Sequence, residues 1–307
     1  MLKEIIRLPN ALFLTAFVLA LVPGGAYAAL AEEKALLAFL VLVELNYLRI
    51  IVTKAKNKVQ AGDVTAMLFG TVAVWELLTA RLKLLDAFLF PAPQQVIELF
   101  IKDLPVLLNG LLSSMSLLLS AYALALLTAI PGGLLIGWRK RLFRAVQPLS
   151  KMMSAIPPIV YIPYAIAILP TFKLASVIVI FAGAFWPVFV STLNATVQID
   201  KKIIDSARML RVNERQMLLS IILPAVMPQV LTGCSVSLIF SFILLTSAEI
   251  IGATSGIGWY VKYYADFGDY AKVIVGIIFI GMVVTAVMLI FERVQHYLLR
   301  WQEKAAE

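Results

Sequence analysis

Apolar runs of membrane-spanning length recur from one end of the chain to the other, and this feature removes most fold classes at once. A helix needs about 20 apolar residues to cross the hydrocarbon core, and within lipid it pairs its own backbone donors and acceptors. The chain is therefore expected to be all-α and polytopic. Composition agrees, because 62% of the 307 residues are hydrophobic and 14% charged, against about 45–50% and about 25% in soluble proteins. The net charge of +8 gathers at the ends of apolar runs. Membrane orientation explains that placement, and no nucleic-acid partner is expected. The single cysteine, Cys234, allows neither an intrachain disulfide nor a thiolate metal cluster.

The first run, residues 11–30, lies behind Lys3 and Arg7 and contains Pro23-Gly24-Gly25. Ala26-Tyr27-Ala28 has the small-residue spacing of a signal-peptidase site, which would make Ala29 the mature N-terminus. About 20 apolar residues also suffice to span, and an uncleaved helix is the expectation. The second run, 35–52, carries Glu44, Asn46 and Arg49, expected to pack as a local polar cluster with Arg49 snorkelling. Lys54, Lys56 and Lys58 follow. The third run, 64–82, holds Trp75-Glu76 and leads into Phe90-Pro91-Ala92-Pro93 and a short amphipathic stretch at 94–102.

Residues 110–137 are dense in serine, with Ser113, Ser114, Ser116 and Ser120, and such small residues let helices approach closely in lipid. Gly132 and Gly137 have the spacing of a phosphate loop. Trp138-Arg139 stand where Lys and Ser or Thr are required, so the chain has no ATPase site of its own. Arg139, Lys140, Arg141, Arg144 and Lys151 form the densest basic cluster. Pro157, Pro158, Tyr161, Pro163 and Pro170 then interrupt an apolar run. Freed backbone carbonyls are tolerated only where protein or a water-filled path satisfies them, which points to a transport path or to a kinked packing helix. A further span follows at 175–190, with Gly183 and Phe185-Trp186-Pro187.

Residues 229–252 carry Thr232, Ser235, Ser237, Ser241, Thr246 and Ser247, with Glu249 near the end and Gly256-Ile257-Gly258 beyond. Glu249 either caps this turn or lines an outer gate. The last span is 271–291. His296 stands alone, and no triad, metal cluster or carboxylate pair exists, so no enzyme is expected. Placing the basic segments 54–58, 139–151, 201–215 and the C-terminal tail on the cytoplasmic side gives eight helices with both termini inside.

The polar stretch Asp205–Pro224 interrupts this pattern. Asp205, Arg208, Arg211, Glu214 and Arg215 alternate in sign, while Ile204, Ala207, Leu210, Met217 and Leu218 supply an apolar stripe, so a docking helix is expected, ended by Pro224. Asp205, Arg208 and Arg211 should share one face. The small pair Ser206-Ala207, followed by Ile221, Leu223 and Pro224, resembles the EAA loop of permease subunits of ATP-binding-cassette (ABC) importers. Asp205 stands at that motif's glutamate and Arg211 at its glycine. Arginine there implies a changed turn or a new ion pair.

Further resemblances extend over about residues 64–300. Trp75-Glu76 with Pro91-Ala92-Pro93, Ile156-Pro157-Pro158, Phe185-Trp186-Pro187 with Asn194 and Asp200, and Ala248-Glu249-Ile250 with Gly256-Ile257-Gly258 resemble the nitrate, sulfonate, taurine and bicarbonate type of permease. Leu169-Pro170-Thr171-Phe172 departs from that family's Trp-Phe-Gly turn. The resemblance implies a six-helix type I ABC importer permease core at 61–300, with a coupling loop at 199–224. Two additional N-terminal helices precede it at 1–60, and a cytosolic tail follows at 301–307.

It also implies a bacterial or archaeal cytoplasmic membrane, and as partners cytosolic ABC ATPase subunits, a second permease subunit, an extracytoplasmic solute-binding protein and membrane lipid. ATP and Mg would sit on the ATPases, with no cofactor in this chain. The implied coupling residues are Asp205, Ser206, Ala207, Arg208, Met209, Leu210, Arg211, Leu223 and Pro224. Pathway or gate candidates are Pro157, Pro158, Tyr161, Glu249, Gly256 and Gly258. A rival reading is a stand-alone secondary transporter using Glu44, Glu76 and Glu249 as ion sites. Residues 1–60 are expected to be peripheral, so that their deletion leaves ATP hydrolysis by the complex intact.

Overall fold

The computed structural model describes residues 2–21, 30–52 and 58–306, with side chains for 8–21, 34–51 and 59–301. The cleavage-site candidate Ala26-Tyr27-Ala28, Pro23-Gly24-Gly25, Lys54 and Lys56 lie outside the described residues, as do the side chains of Lys3, Arg7, Lys58 and Lys304. The described elements are all helical: α1 Leu2–Leu21, α2 Leu30–Val52, α3 Lys58–Glu76, α4 Pro93–Trp138, α5 Lys140–Ala155, α6 Ile162–Ile168, α7 Phe172–Gln198, α8 Lys201–Met209, α9 Glu214–Gln216, α10 Leu223–Gly252, α11 Ile257–Asp266 and α12 Tyr270–Ala306. Wider π-turns at Leu77–Arg81 and Met217–Ile222 extend α3 and join α9 to α10.

Among the described residues, five helices are long and apolar enough to cross a membrane. A sixth span arises if α5 and the Pro158–Ile168 segment, bent by 75°, count as one. The two helices that complete the expected eight fall short for separate reasons. The described apolar part of α1 is Leu8–Leu21, and α2 carries Lys34, Glu44 and Arg49 among its described side chains. The chain divides into two compact units, residues 1–106 with 261–277, and residues 107–260 with 278–307.

In the first unit α1, α2 and α3 share a core of Ala16, Ala20, Leu36, Leu40, Phe69 and Ala73. Small residues on α1 let Phe69 of α3 come close, the packing that serves where lipid removes the hydrophobic contrast. The π-turn after α3 adds a polar latch. Arg81 pairs with the buried Glu76 at 3.3 Å and donates to the Leu19 carbonyl of α1, and Gln94 donates to Glu76 at 2.8 Å. Trp75 Nε1 donates to the Pro91 carbonyl at 3.0 Å, fixing the Pro-x-Pro elbow.

This packing changes the outcome expected for the N-terminal deletion. Removing residues 1–60 uncovers Phe69 and takes a buried acceptor from Arg81. We expect the truncated protein to lose at least half its yield of detergent-stable, monodisperse protein, measured by size-exclusion chromatography. Full recovery of that yield would restore the peripheral reading.

In the second unit α7 and α10 form the centre, joined by the α4 end and the segment after α8. Its core includes Phe189, Leu193, Ala207, Met217, Ile222 and Val230. Gly133 and Gly137, one turn apart on α4, face Thr192 and Thr196 on α7. A Cβ at either glycine would lie 2.7 or 2.8 Å from the threonine Cβ. Gly137, read in the sequence against a phosphate-loop spacing, thus serves a helix crossing. At the start of α7, Thr171 caps Leu174 N at 3.3 Å, the turn that departs from the family pattern.

Candidate functional site

The docking segment folds as two helical pieces around a reversed turn, not as one helix. Asp200 opens α8 by accepting from Lys202 N at 2.9 Å, the ordinary work of an N-cap carboxylate. The helix ends at Met209. Arg211 N donates to the Arg208 carbonyl at 2.9 Å and Val212 N to the Ala207 carbonyl at 3.5 Å. Arg211 has φ +52. These two bonds around a left-handed residue form a Schellman C-cap, whose left-handed position usually holds glycine. The glycine of the resembled motif is therefore explained by geometry, and here arginine occupies the same turn without changing it.

Three expectations are corrected by this turn. Arg211 does not share a helical face with Asp205 and Arg208, because the helix stops before it. Leu210, expected in the apolar stripe, is 79% exposed, and Met209 is 86% exposed. Pro224 does not end the helix. The π-turn at Met217–Ile222 opens the backbone before it, and α10 continues with Pro224 in its first turn, where a missing N–H and a bulky ring are tolerated.

The other predicted residues divide by burial. Ala207 is 4% exposed and packs with Met217, Leu218 and Ile222, which anchors the turn to the core. Asp205, Ser206, Arg208, Met209, Leu210 and Arg211 all face outward, and Leu223 and Pro224 are half-buried. Asp205 and Arg208 are 3.8 Å apart and both exposed, a pair of little energetic weight. Beyond the turn, Asn213 and Gln216 form a capping box. Glu214 accepts from Trp138 Nε1 at 3.1 Å and pairs with Arg139 at 2.7 Å, tying the loop to the end of α4. The loop thus presents a firmly held apolar tip flanked by arginines.

Sequence reasoning missed Glu214 as a link to α4. Its signal was only the coincidence of the densest basic cluster with a lone acid 76 residues away.

The predicted pathway residues also separate. Ile156 and Pro157 are extended, and the 75° bend follows. A groove of about 370 Å³ lies beside it, lined among others by Ser154, Pro158, Trp186, Ser191, Thr232 and Phe240. Pro158 lines it, whereas Pro157 and Tyr161 are not among its lining residues. At its back α7 and α10 nearly touch. Ser191 Oγ donates to the Gln229 carbonyl at 2.6 Å, and a Cβ on Gly233 would lie 2.5 Å from that of Ser191.

Glu249, Gly256 and Gly258 make a cap, not an open gate. Glu249 is 1% exposed, accepts from Ser114 Oγ at 2.5 Å and from Gly258 N at 2.7 Å, and Ser114 Oγ accepts from Ile257 N at 2.9 Å. A carboxylate at the start of α11 suits the orphan amides there. The Glu249 carboxylate lies against Gly256, whose φ is +130. In this geometry Glu249 caps the turn, with both carboxylate oxygens bonded. Ser114, noted in the sequence only for its size, is a working part of the cap.

The ion-site rival loses ground on the same geometry. Glu249 is committed to this cap, and Glu76 to Arg81 and Gln94. Glu44, on α2, is buried with one carboxylate oxygen unbonded.

Comparisons with known proteins bear on the family of the chain. The family described as "Binding-protein-dependent transport system inner membrane component" matches residues 129–304. A "Probable ABC transporter permease protein" of Brucella abortus (strain 2308) is 29% identical over 236 residues, 75% of this chain and 92% of that protein. A "Nitrate import permease protein" of Synechocystis sp. (strain ATCC 27184 / PCC 6803 / Kazusa) is 24% identical over 226 residues, 69% of this chain and 80% of that protein. Among solved structures, a chain of the inward-facing MetNI methionine ABC transporter superposes with a TM-score of 0.56 at 16% identity, covering 64% of this chain and 97% of that one. A chain with these helices, this loop and these relatives belongs to the family of binding-protein-dependent transport system inner membrane components, as a non-enzymatic ABC permease subunit of the membrane.

Proposed function

We propose that the exposed tip Met209-Leu210-Arg211 is the element gripped by a cytosolic ABC ATPase, and that its movement gates a solute path beside the bent α5–α6 segment. The observation that carries this reading is the tip itself. Two large apolar side chains are held out by a closed Schellman turn, while Ala207 behind them is packed into the core. An exposed apolar pair on a rigid polar loop is a feature that a partner surface explains better than solvent does. ATP and Mg would bind the ATPases, a second permease subunit would complete the path, and an extracytoplasmic binding protein would deliver solute. Nucleotide-driven closure would then bias a two-state change in access.

In this reading the loop and both termini are cytoplasmic, and the α10–α11 turn is outside. Single cysteines test it. Gly256 is unsuitable, because any side chain there meets Glu249, and Thr254 and Asn213 are exposed positions outside the gripped tip. With Cys234 removed, Thr254→Cys should be labelled by an impermeant thiol reagent in intact cells, and Asn213→Cys only after permeabilisation. The reverse pattern would overturn the orientation. Retention of ATPase subunits on the purified permease, lost in a Met209→Ser/Leu210→Ser variant, tests the grip directly.

A further inference from the structure

Two cavities flank the corner made by Trp138 and Arg139, and both residues line each of them. One is an apolar trough of about 500 Å³ between the end of α4 and the Met217–Ile222 turn, walled by Leu134, Leu135, Leu218 and Leu219. Leu135 and Leu219 are 55% and 50% exposed, so the trough opens sideways. The other is a cup of about 510 Å³ in which Arg139, Lys140, Lys201 and Arg208 stand against one carboxylate, Asp205. Glu214 lies on the trough's rim, but its carboxylate is engaged by Arg139 and by Trp138. No acidic residue occurs between Asp103 and Asp200, so α5 and α7 bring no further negative charge to the cup.

We propose that this corner binds one anionic phospholipid of the cytoplasmic leaflet, its acyl chain in the trough, its phosphate against Arg139 and the rest of its headgroup in the cup. The two cavities complement the two halves of such a molecule in polarity and charge. A soluble anion would fill the cup and leave the trough empty, and an apolar helix seated in the trough would leave the cup's cations unmatched. Basic pockets at the cytoplasmic ends of membrane helices attract anionic headgroups in this way, and Trp138 stands where interfacial indoles are favoured. The cup is partly built from α8, so the lipid touches the docking helix directly and leaflet composition biases its position. The leaflet assignment rests on the cytoplasmic orientation proposed above.

The test uses the complete permease–ATPase complex in lipid nanodiscs containing chain-brominated phosphatidylglycerol or phosphatidylcholine. Quenching of Trp138 is the difference between the parent and Trp138→Phe. Half-maximal quenching is expected at about tenfold lower mole fraction of the anionic lipid. Lys140→Ala/Lys201→Ala should remove most of that preference, and Leu219→Phe, which narrows the trough, should reduce quenching by both lipids. Equal quenching by the two lipids, a preference that survives loss of both lysines, or no quenching because a second permease or an ATPase covers the trough would each overturn the proposal. Retention of ATPase is measured on the same nanodiscs. Intact retention without lipid preference sinks the lipid site alone, whereas lost retention in the parent sinks the docking reading.

Discussion

Gly256→Ala is expected to cost about 2–6 kcal/mol and to leave little folded protein. Two effects add there. The residue has φ +130, a conformation L side chains rarely adopt, and such backbone strain costs on the order of 1–3 kcal/mol. An added Cβ would also lie 2.4 Å from the Glu249 carboxylate, and forced overpacking costs about 1–3 kcal/mol. Backbone relief is blocked on the other side, because Gly110 of α4 packs on Gly256 itself, with a built Cβ only 3.2 Å from its carbonyl. Thermal unfolding of the purified complex measures the loss. Gly281→Ala is the control, since nothing lies within 4 Å of a Cβ there, and it should be neutral or stabilising by up to about 1 kcal/mol, the usual gain of alanine over glycine in a helix. If Gly256→Ala unfolds like the control, the cap has room that its geometry denies.

The second large effect is expected at Arg211. Reversing its charge, Arg211→Glu, should weaken ATPase attachment by about 2–5 kcal/mol if the guanidinium meets an acidic partner group, most of that from the charge left unpaired. A merely solvated charge would change attachment by under about 1 kcal/mol. The two outcomes are therefore separable by a binding titration of ATPase onto the detergent-purified permease. Arg211→Gly removes the charge but suits the turn, since a left-handed non-glycine residue costs roughly 1–2 kcal/mol. It should bind ATPase more weakly than the parent, more tightly than Arg211→Glu, and unfold at a higher temperature than either. Parent-like binding and transport by Arg211→Glu would reduce Arg211 to a tolerated departure in a turn that glycine fills better.

Much of this architecture was legible because its signals are local. Apolar runs read as helices from 64 onward, the proline cluster at 157–163 read as an interrupted span and bends by 75°, and the polar segment at 205 read as a docking helix. What escaped was carried by pairs distant in the chain. Ser114 and Glu249 are 135 residues apart, and Trp138 and Glu214 are 76 apart, so neither pair leaves a pattern in a window of residues. The docking segment was misread in phase for a different reason. Periodicity carries through Arg211 as if the helix continued, since a basic residue is an ordinary helix former, and only its backbone dihedral reveals the stop. Pro224 misled in the opposite sense, because the rule that proline ends a helix assumes an α-helical turn before it.

The widened turn at Met217–Ile222 has a bearing on phase along the whole of α10. Each residue advances an α-helix by about 100°, so one residue inserted or removed within a regular span would swing every later side chain to another face. A π-turn holds a residue that an α-turn does not, and can release or take up that residue within itself. The buried row of α10 that begins at Val226 and includes Ser237, Ser241 and Glu249 is thereby indexed from the π-turn and not from the docking tip. A residue gained or lost within the π-turn can thus be absorbed there, without rotating the groove or misplacing the carboxylate that closes the far end.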